Sequence, residues 1–280
     1  MTRNDIIAFI GPGVMAEAMA AGLIDRAGWP PERILMSGPR AERLSDLSAR
    51  LRVRTVGDNR QAASEASVVV LSVKPQTLPD VMAGLSGGIP PEALVVSIVA
   101  GARLADLSRR LGHAAIVRVM PNTPAQVGQG ISVWTATPQA DDAQRQTARA
   151  LLQACGDEVF VDDEDYLDMA TALSGTGPAY VFLFMEALVD AGVHLGFPRR
   201  IAEQLVVQTV KGSVAYYEHS PRHFARLRNL VTSPGGTSAA ALYYLEKAGF
   251  RTALSRAVWA AYERSSQLGR GKKRDSVDSE

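Results

Sequence analysis

Residues 6–24 read IIAFIGPGVMAEAMAAGLI. Five apolar residues run into Gly11-Pro12-Gly13, and an alanine-rich, helix-forming segment follows. A strand, a glycine turn and a helix in that order open the βαβ unit that holds a dinucleotide. Gly11 permits the tight turn, Gly13 lets the backbone approach a pyrophosphate at the helix start, and Ala16 takes the third, close-packing position. Pro12, Val14 and Met15 complete the loop along the phosphates. A bare G-x-G-x-x-A is a weak signal, shared by glycine-rich turns of unrelated α/β proteins. Its setting between a strand and a helix favours the dinucleotide.

Outward from this turn, β-rich runs alternate with amphipathic segments. Strands are expected at 6–10, 33–37, 68–73, 94–99, 115–120, 131–136 and 158–161, and helices at 13–26, 40–50, 76–84, 103–111 and 141–154. That alternation predicts a mostly parallel sheet, and the continuously apolar strands predict cover on both faces. The run 131–136 follows its predecessor without a clear helix and is expected to be antiparallel to it. After Asp162-Asp163-Glu164-Asp165 the texture turns wholly helical, with segments at 165–173, 178–195, 199–218, 222–230, 237–248 and 250–268. Gly196-Phe197-Pro198, His219-Ser220-Pro221 and Gly249 separate them. The expected organisation is an α/β, Rossmann-like domain over 1–163, an all-α domain over 164–268 and a polar, disordered tail over 269–280. The helix at 178–195 is apolar on more than one face. Either a central core position or a subunit interface would cover it.

The second strand selects the dinucleotide. It ends at Ser37 with no carboxylate for a ribose hydroxyl, and Arg40 follows. A guanidinium suits a 2′-phosphate, which favours NADPH over a weaker NADH. Arg43 is read as a solvated helix face. Ser72-Val73-Lys74-Pro75, Ala100-Gly101 and the loop holding Asn122 follow later strands, where open parallel sheets bind ligands. Lys74 is read as an electrostatic contact to the cofactor.

A net charge of +1 points to no nucleic-acid partner. The lone Cys155 allows no internal disulfide. The N-terminal run breaks at Gly11, so no signal peptide is expected. The longest apolar stretch, 179–185, is too short to span a bilayer. A cytoplasmic protein is expected.

Residues 232–242, TSPGGTSAAAL, have the grammar of a helix start that binds a small anion, with a spare hydroxyl beside it. His219 and His223 flank Ser-Pro-Arg, where continuous helix is not expected, and no metal site is assigned.

The blocks GPGVMAEAM (11–19), VVLSVKPQ (69–76), SIVAG (97–101), RVMPNTPAQVGQG (118–130), ALSGTGPAYVFLFMEAL (172–188), QTVKGS (208–213) and VTSPGGTSAAAL (231–242) resemble the pyrroline-5-carboxylate reductase family over essentially the whole chain. The resemblance implies a Rossmann domain followed by a dimerising helical domain of the 6-phosphogluconate dehydrogenase C-terminal type. It also implies a homodimer assembling to a decamer, and NADPH-dependent reduction of 1-pyrroline-5-carboxylate to L-proline. Asn59 falls at the cofactor ribose. Ser233, Gly235, Gly236 and Thr237, with Asn122, would hold the substrate, the N–H groups of Gly236 and Thr237 facing its carboxylate. Ser238 would reach the imine nitrogen.

The chain departs from the family at Pro12 and Val14 (usually Gly and Asn), Thr176 (Ser), Phe224 (Pro), Asn229 (Asp) and Ser238 (Thr). The last keeps the hydroxyl and loses a methyl, which bears on rate or substrate tolerance. Two other classes compete. A β-hydroxyacid dehydrogenase would need a lysine base four residues after Gly175-x-Gly177, where Val181 stands. A non-catalytic NADP sensor would have no need of TSPGGTS.

Overall fold

The computed structural model describes residues 5–220 and 222–269. Pro221 and residues 270–280, most of the expected tail, lie outside them. By packing, the chain divides into two units. One runs through Thr176 and takes back the last helix from Ala261; the other is Gly177–Ala260. The division falls later than the change of texture at 163.

Among the described residues, the first unit is built on eight strands: β1 (Ile7–Ile10), β2 (Ile34–Ser37), β3 (Arg54–Val56), β4 (Val68–Leu71), β5 (Leu94–Ser97), β6 (Ile116–Met120), β7 (Gly130–Ala136) and β8 (Gly156–Phe160). Their order in the sheet is β3-β2-β1-β4-β5-β6-β7-β8. The pairs from β3 to β6 are parallel. β7 runs antiparallel to β6, as its missing crossover helix predicts, and β8 is parallel to β7.

Between them lie α1 (Val14–Asp25), α2 (Ala41–Leu51), α3 (Asn59–Ser64), α4 (Leu78–Leu85), α5 (Leu104–Leu111) and α6 (Asp142–Gln153), with α7 (Tyr166–Ala170) after β8. Alternate strand residues feed two apolar layers. Ile7, Phe9, Met36, Val70 and Val96 pack with Met19, Ala20 and Leu23 of α1. Ala8, Ile10, Leu35, Val69 and Leu71 pack with Ala62 and Ala63 of α3 and Met82 of α4.

β3 and α3 escaped the sequence reading. A three-residue strand, RTV, is too short to show a period, and DNRQAASE reads as polar loop. The signal for α3 was Asp58, whose carboxylate accepts the N–H groups of Arg60 (2.7 Å) and Gln61 (3.3 Å) as an N-cap.

A buried ionic network ties distant parts of this unit together. Arg118 on β6 is 2% exposed. It donates to Glu164 at 2.8 Å and to Asp168 at 3.3 Å. Asp168, 1% exposed, also accepts from the Ser265 hydroxyl at 2.9 Å and from Arg103 at 3.3 Å. Glu164 accepts the backbone N–H of Leu104 at 2.8 Å. Charges this deep persist only when each is paired.

The second unit holds α8 (Gly177–His194), α9 (Arg199–His219), α10 (Phe224–Leu230), α11 (Thr237–Lys247) and the first half of α12 (Phe250–Gly269). Its buried core is small: Val189, Ala202 and Val206, with Met185 and Val210 against them. Phe182, Leu183, Tyr243, Tyr244 and Trp259 are exposed. α8 is therefore no central core helix within one chain.

The helical run Tyr166–His194 is 29 residues long, with an 18-residue window of mean hydropathy 1.3, enough by length and composition to cross a bilayer. The sequence reading counted 179–185 alone. The folded run is longer because α7 leads through a wider helical turn at Thr171–Gly175 into α8.

Asp168→Ala leaves buried Arg118 with Glu164 alone and strips the Ser265 hydroxyl of its acceptor, and should lower the unfolding free energy by about 1.5–3 kcal/mol in denaturant titration. A loss under about 1 kcal/mol would mean that the network carries no stability.

Candidate active site

The strand order reverses direction between β1 and β4, and in an open sheet the crevice beyond the strand ends opens there. Gly11 follows β1 with φ +102°, and a β-carbon on it would sit 2.7 Å from Val73 Cγ1 and 2.9 Å from Val73 N. Any side chain would therefore be both strained and obstructed. The Ser72 hydroxyl donates to the Ile10 carbonyl at 3.0 Å and the Gly11 carbonyl at 2.9 Å, bracing the turn across the switch point.

Gly13 is the N-cap of α1 and no side chain caps it. Among the described residues, the N–H groups of Val14, Met15 and Ala16 make no backbone hydrogen bond. Three donors aimed out of a helix start, with no β-carbon at Gly11 or Gly13, fit a diphosphate. Ala16 is fully buried, as close packing requires.

Ser37 and Asn59 meet: the Ser37 hydroxyl donates to Asn59 Oδ1 at 2.7 Å. This places the α3 start beside the end of β2. Arg40 is exposed at the N-cap of α2. Lys74 and Pro75 are exposed in the turn after β4, and Val73 is half-buried.

Ala100 and Gly101 lie half-buried in the loop after β5. A β-carbon on Gly101, whose φ is +76°, would sit 3.0 Å from the Gly269 nitrogen and 3.2 Å from Leu268 Cβ. The end of α12 thus closes over this loop. Asn122 is 9% exposed and committed within the unit. It donates to the Ser174 carbonyl at 3.2 Å and accepts the Ile131 N–H at 3.0 Å.

One reading is corrected. Arg43 does not form a solvated face. It donates to the Pro12 carbonyl at 3.1 Å and to Asp46 at 3.0 Å, and pairs with Glu17. Its aliphatic stem lets it reach back from α2 to the glycine turn, a long-range contact that no local pattern reports. Arg50 reaches Glu17 at 2.5 Å. The Arg50 guanidinium, ahead of Arg43, holds the Glu17 carboxyl below its usual range against the opposing effect of partial burial.

The second unit carries a helix start of its own. Gly235 has φ +71° with nothing near its missing β-carbon, so glycine is required there for conformation. At Gly236 a β-carbon would meet Ser233 Oγ at 2.6 Å and the Ser233 carbonyl at 3.2 Å, so that hydroxyl would have to turn away. The Gly236 N–H does not face outward as expected. It donates to the Ser233 carbonyl at 3.1 Å, because the turn into α11 consumes it. Among the described residues, the N–H groups of Thr237, Ser238 and Ala239 make no backbone hydrogen bond. α11 also lacks a side-chain cap. This helix start can take an anion, with the Ser233, Thr237 and Ser238 hydroxyls at hand.

Cys155 is buried. Burial pushes its thiol up to about 11, with Arg26 opposing.

An open glycine turn on a Rossmann sheet, followed by a helical unit with a second uncapped helix start, fits the two-domain, nicotinamide-dependent oxidoreductases. A family model for pyrroline-5-carboxylate reductase dimerisation matches residues 164–268. A model described as NADP oxidoreductase, coenzyme F420-dependent, matches 6–101. The pyrroline-5-carboxylate reductase of Synechocystis sp. is 44% identical over 264 residues, covering 94% of this chain and 98% of that one. The enzyme of the same name from Pseudomonas aeruginosa is 42% identical, covering 94% and 96%. The crystal structure of Plasmodium falciparum pyrroline carboxylate reductase with NADP bound superposes with a TM-score of 0.89 at 32% identity, covering 96% and 100%. The chain belongs to the pyrroline-5-carboxylate reductase family.

Two outcomes are expected. Gly11→Ala should abolish measurable NADPH binding in a fluorescence titration, since strain of about 1–3 kcal/mol and the Val73 contact both oppose the turn; retained affinity would mean that the turn does not hold the cofactor. Cys155 should resist iodoacetamide at pH 8 until the protein unfolds. Its folded pKa is raised, so its contribution to stability is present below the ordinary thiol value of about 8.5 and fades as pH rises toward about 11.

Proposed function

We propose that the chain reduces 1-pyrroline-5-carboxylate to L-proline with NADPH, the last step of proline biosynthesis, and accepts NADH more weakly. The observation that carries this reading is the start of α11, where free N–H groups and three hydroxyls converge without a capping side chain. A cyclic imine acid has a carboxylate for the donors and a ring nitrogen for a hydroxyl. Ser233 and Thr237 hold the carboxylate, Gly235 and Gly236 shape the turn that presents them, and Asn122 fixes the loop after β6.

Gly11, Pro12, Gly13, Val14 and Met15 cradle the diphosphate. Ser37 and Asn59 take the ribose, and Arg40 the 2′-phosphate. Ser72, Val73, Lys74, Pro75, Ala100 and Gly101 line the nicotinamide side. When bound, the reduced cofactor supplies a hydride to the imine carbon. The ring nitrogen gains one proton. Ser238 orients that nitrogen and relays the proton from water, because an aliphatic hydroxyl is too weak an acid to be its source. Holding the partners in contact removes much of the entropic barrier, about 7–11 kcal/mol in well-oriented systems. The domain that does this spans 164–268, after a cofactor domain over 1–163.

The protein works in the cytoplasm as a homodimer that assembles to a decamer, with no nucleic-acid or membrane partner. The dimerisation model over 164–268 and the exposed apolar residues of α8 support the dimer. The NADP bound to the Plasmodium relative and the absence of a carboxylate after β2 support NADPH.

Loss of NADPH absorbance with 1-pyrroline-5-carboxylate, with proline as product, tests the reaction; no turnover from a protein that still binds NADPH would remove it. Ser238→Ala should lower kcat about 10²-fold with the NADPH Kd unchanged, and unchanged turnover would end the role given to that hydroxyl. Arg40→Ala should raise KM for NADPH about tenfold or more and leave NADH nearly unaffected. Equal effects would dismiss Arg40 as the 2′-phosphate ligand.

A further inference from the structure

Arg43 binds the cofactor turn from behind. It lies in the first turns of α2, and its side chain is 23% exposed. Its guanidinium makes three kinds of bond at once: Nε to the Pro12 carbonyl at 3.1 Å, Nη1 to Asp46 at 3.0 Å, and Nη2 to Glu17. Pro12 is the middle residue of Gly11-Pro12-Gly13 and has no N–H to anchor it. Its ring is held on one side, where a β-carbon on Gly38 would meet Pro12 Cδ at 2.4 Å. The Arg43 bond holds its carbonyl. Flanked by two glycines, this peptide would otherwise be the loosest part of the turn.

Glu17 poses the second problem. It sits in the first turn of α1, the turn whose N–H groups face the diphosphate. An uncompensated carboxylate there would repel an incoming anion. Arg43 and Arg50 cover both of its oxygens. A lysine in place of Arg43 would bring one point charge and could not span carbonyl and carboxylate together.

We propose that Arg43 is the positioning residue of the diphosphate site: it fixes the Pro12 carbonyl and, with Arg50, neutralises Glu17, without touching the 2′-phosphate. This rests on the reading that the Gly11–Gly13 turn holds the cofactor. Arg40 and Arg43 then divide the work, the first selecting between the two dinucleotides and the second serving both alike.

The test is the Kd of the full-length protein for NADPH and for NADH, by cofactor fluorescence, beside its thermal melt. Arg43→Ala should weaken both cofactors by the same factor, about tenfold, the range of a lost charge-assisted hydrogen bond. Arg43→Lys should weaken both by less, because it keeps the charge and loses the fork. Adding Glu17→Gln to Arg43→Ala should restore part of the lost affinity, and kcat at saturating cofactor should not move. If Arg43→Ala does not fold, Arg43→Lys carries the comparison. Wild-type affinity for both cofactors in the folded variants would overturn the proposal, as would a loss confined to NADPH, which would make Arg43 a 2′-phosphate ligand. A double variant no tighter than Arg43→Ala would overturn the neutralising role of Arg43. Failure of the underlying reading is distinguishable, because the wild-type chain would then bind neither dinucleotide.

Discussion

The turn after β1 exists because residue 11 has no β-carbon. Its backbone passes within 3.0 Å of the Ser72–Val73 peptide, measured from where that carbon would stand. This is the contact between the first and fourth strands at the point where the sheet reverses its order. Ser72 then closes the gap with two hydrogen bonds to carbonyls of the β1 end, and the Gly11 N–H donates to the Ser37 carbonyl at 2.9 Å. Three strand ends are thus locked at one corner. From that lock follow the direction of α1, the outward aim of its first N–H groups, and the meeting of Ser37 with Asn59.

Much of this was legible in the sequence, because the deciding patterns are local. Continuous apolar runs gave the buried strands, and the glycine turn gave the helix start. A missing crossover helix gave the antiparallel β7. What escaped depends on partners far along the chain or on elements too short for a period. β3 and α3 are three and six residues long. Arg43 reads as one more charge on an amphipathic helix until Pro12, thirty-one residues earlier, is placed beside it. Arg118 sits in an apolar strand, and nothing nearby announces that Asp168, fifty residues on, will pair with it. The Gly236 N–H was misjudged because composition shows that a turn is present, not which donors the turn consumes.

The basic residues also sort by chemistry. Of thirty, five are lysine, and the buried or half-buried cations that hold the first unit together are arginines. Arg26 reaches the Ala154 carbonyl at 2.6 Å and the Ala125 carbonyl at 3.4 Å. Arg43, Arg103 and Arg118 each serve two or more acceptors. A planar fork does this and a single ammonium does not. The scarcity of lysine also bears on the reaction. Reducing an imine leaves an amine that accepts its own proton, so no base is required, whereas oxidising an alcohol demands one. Val181 at the position of that base agrees with the first and not the second.

The second unit presents a different constraint. A core of Val189, Ala202 and Val206 is too small to hold five helices. Phe224, Leu242, Leu245, Phe250, Leu254 and Trp259 line an open apolar groove between α10, α11 and α12. Lipid is a poor cover for these faces. Glu186 and Asp190 lie on α8 itself, with Asp190 bound to Arg199 at 2.8 Å, and Arg228, Glu246 and Arg251 rim the groove. Charges so placed are costly in hydrocarbon and tolerable at the rim of a protein interface. A second copy of the same unit offers the matching apolar area and polar edge, which is what a dimerisation domain over these residues means physically. α11 joins the two demands. Its first turn is uncapped, with free N–H groups, and its later turns carry Tyr243, Tyr244 and Leu245, which one chain leaves exposed. On the proposed function, the helix that offers its first turn to the substrate is thus the one whose later turns await a partner subunit.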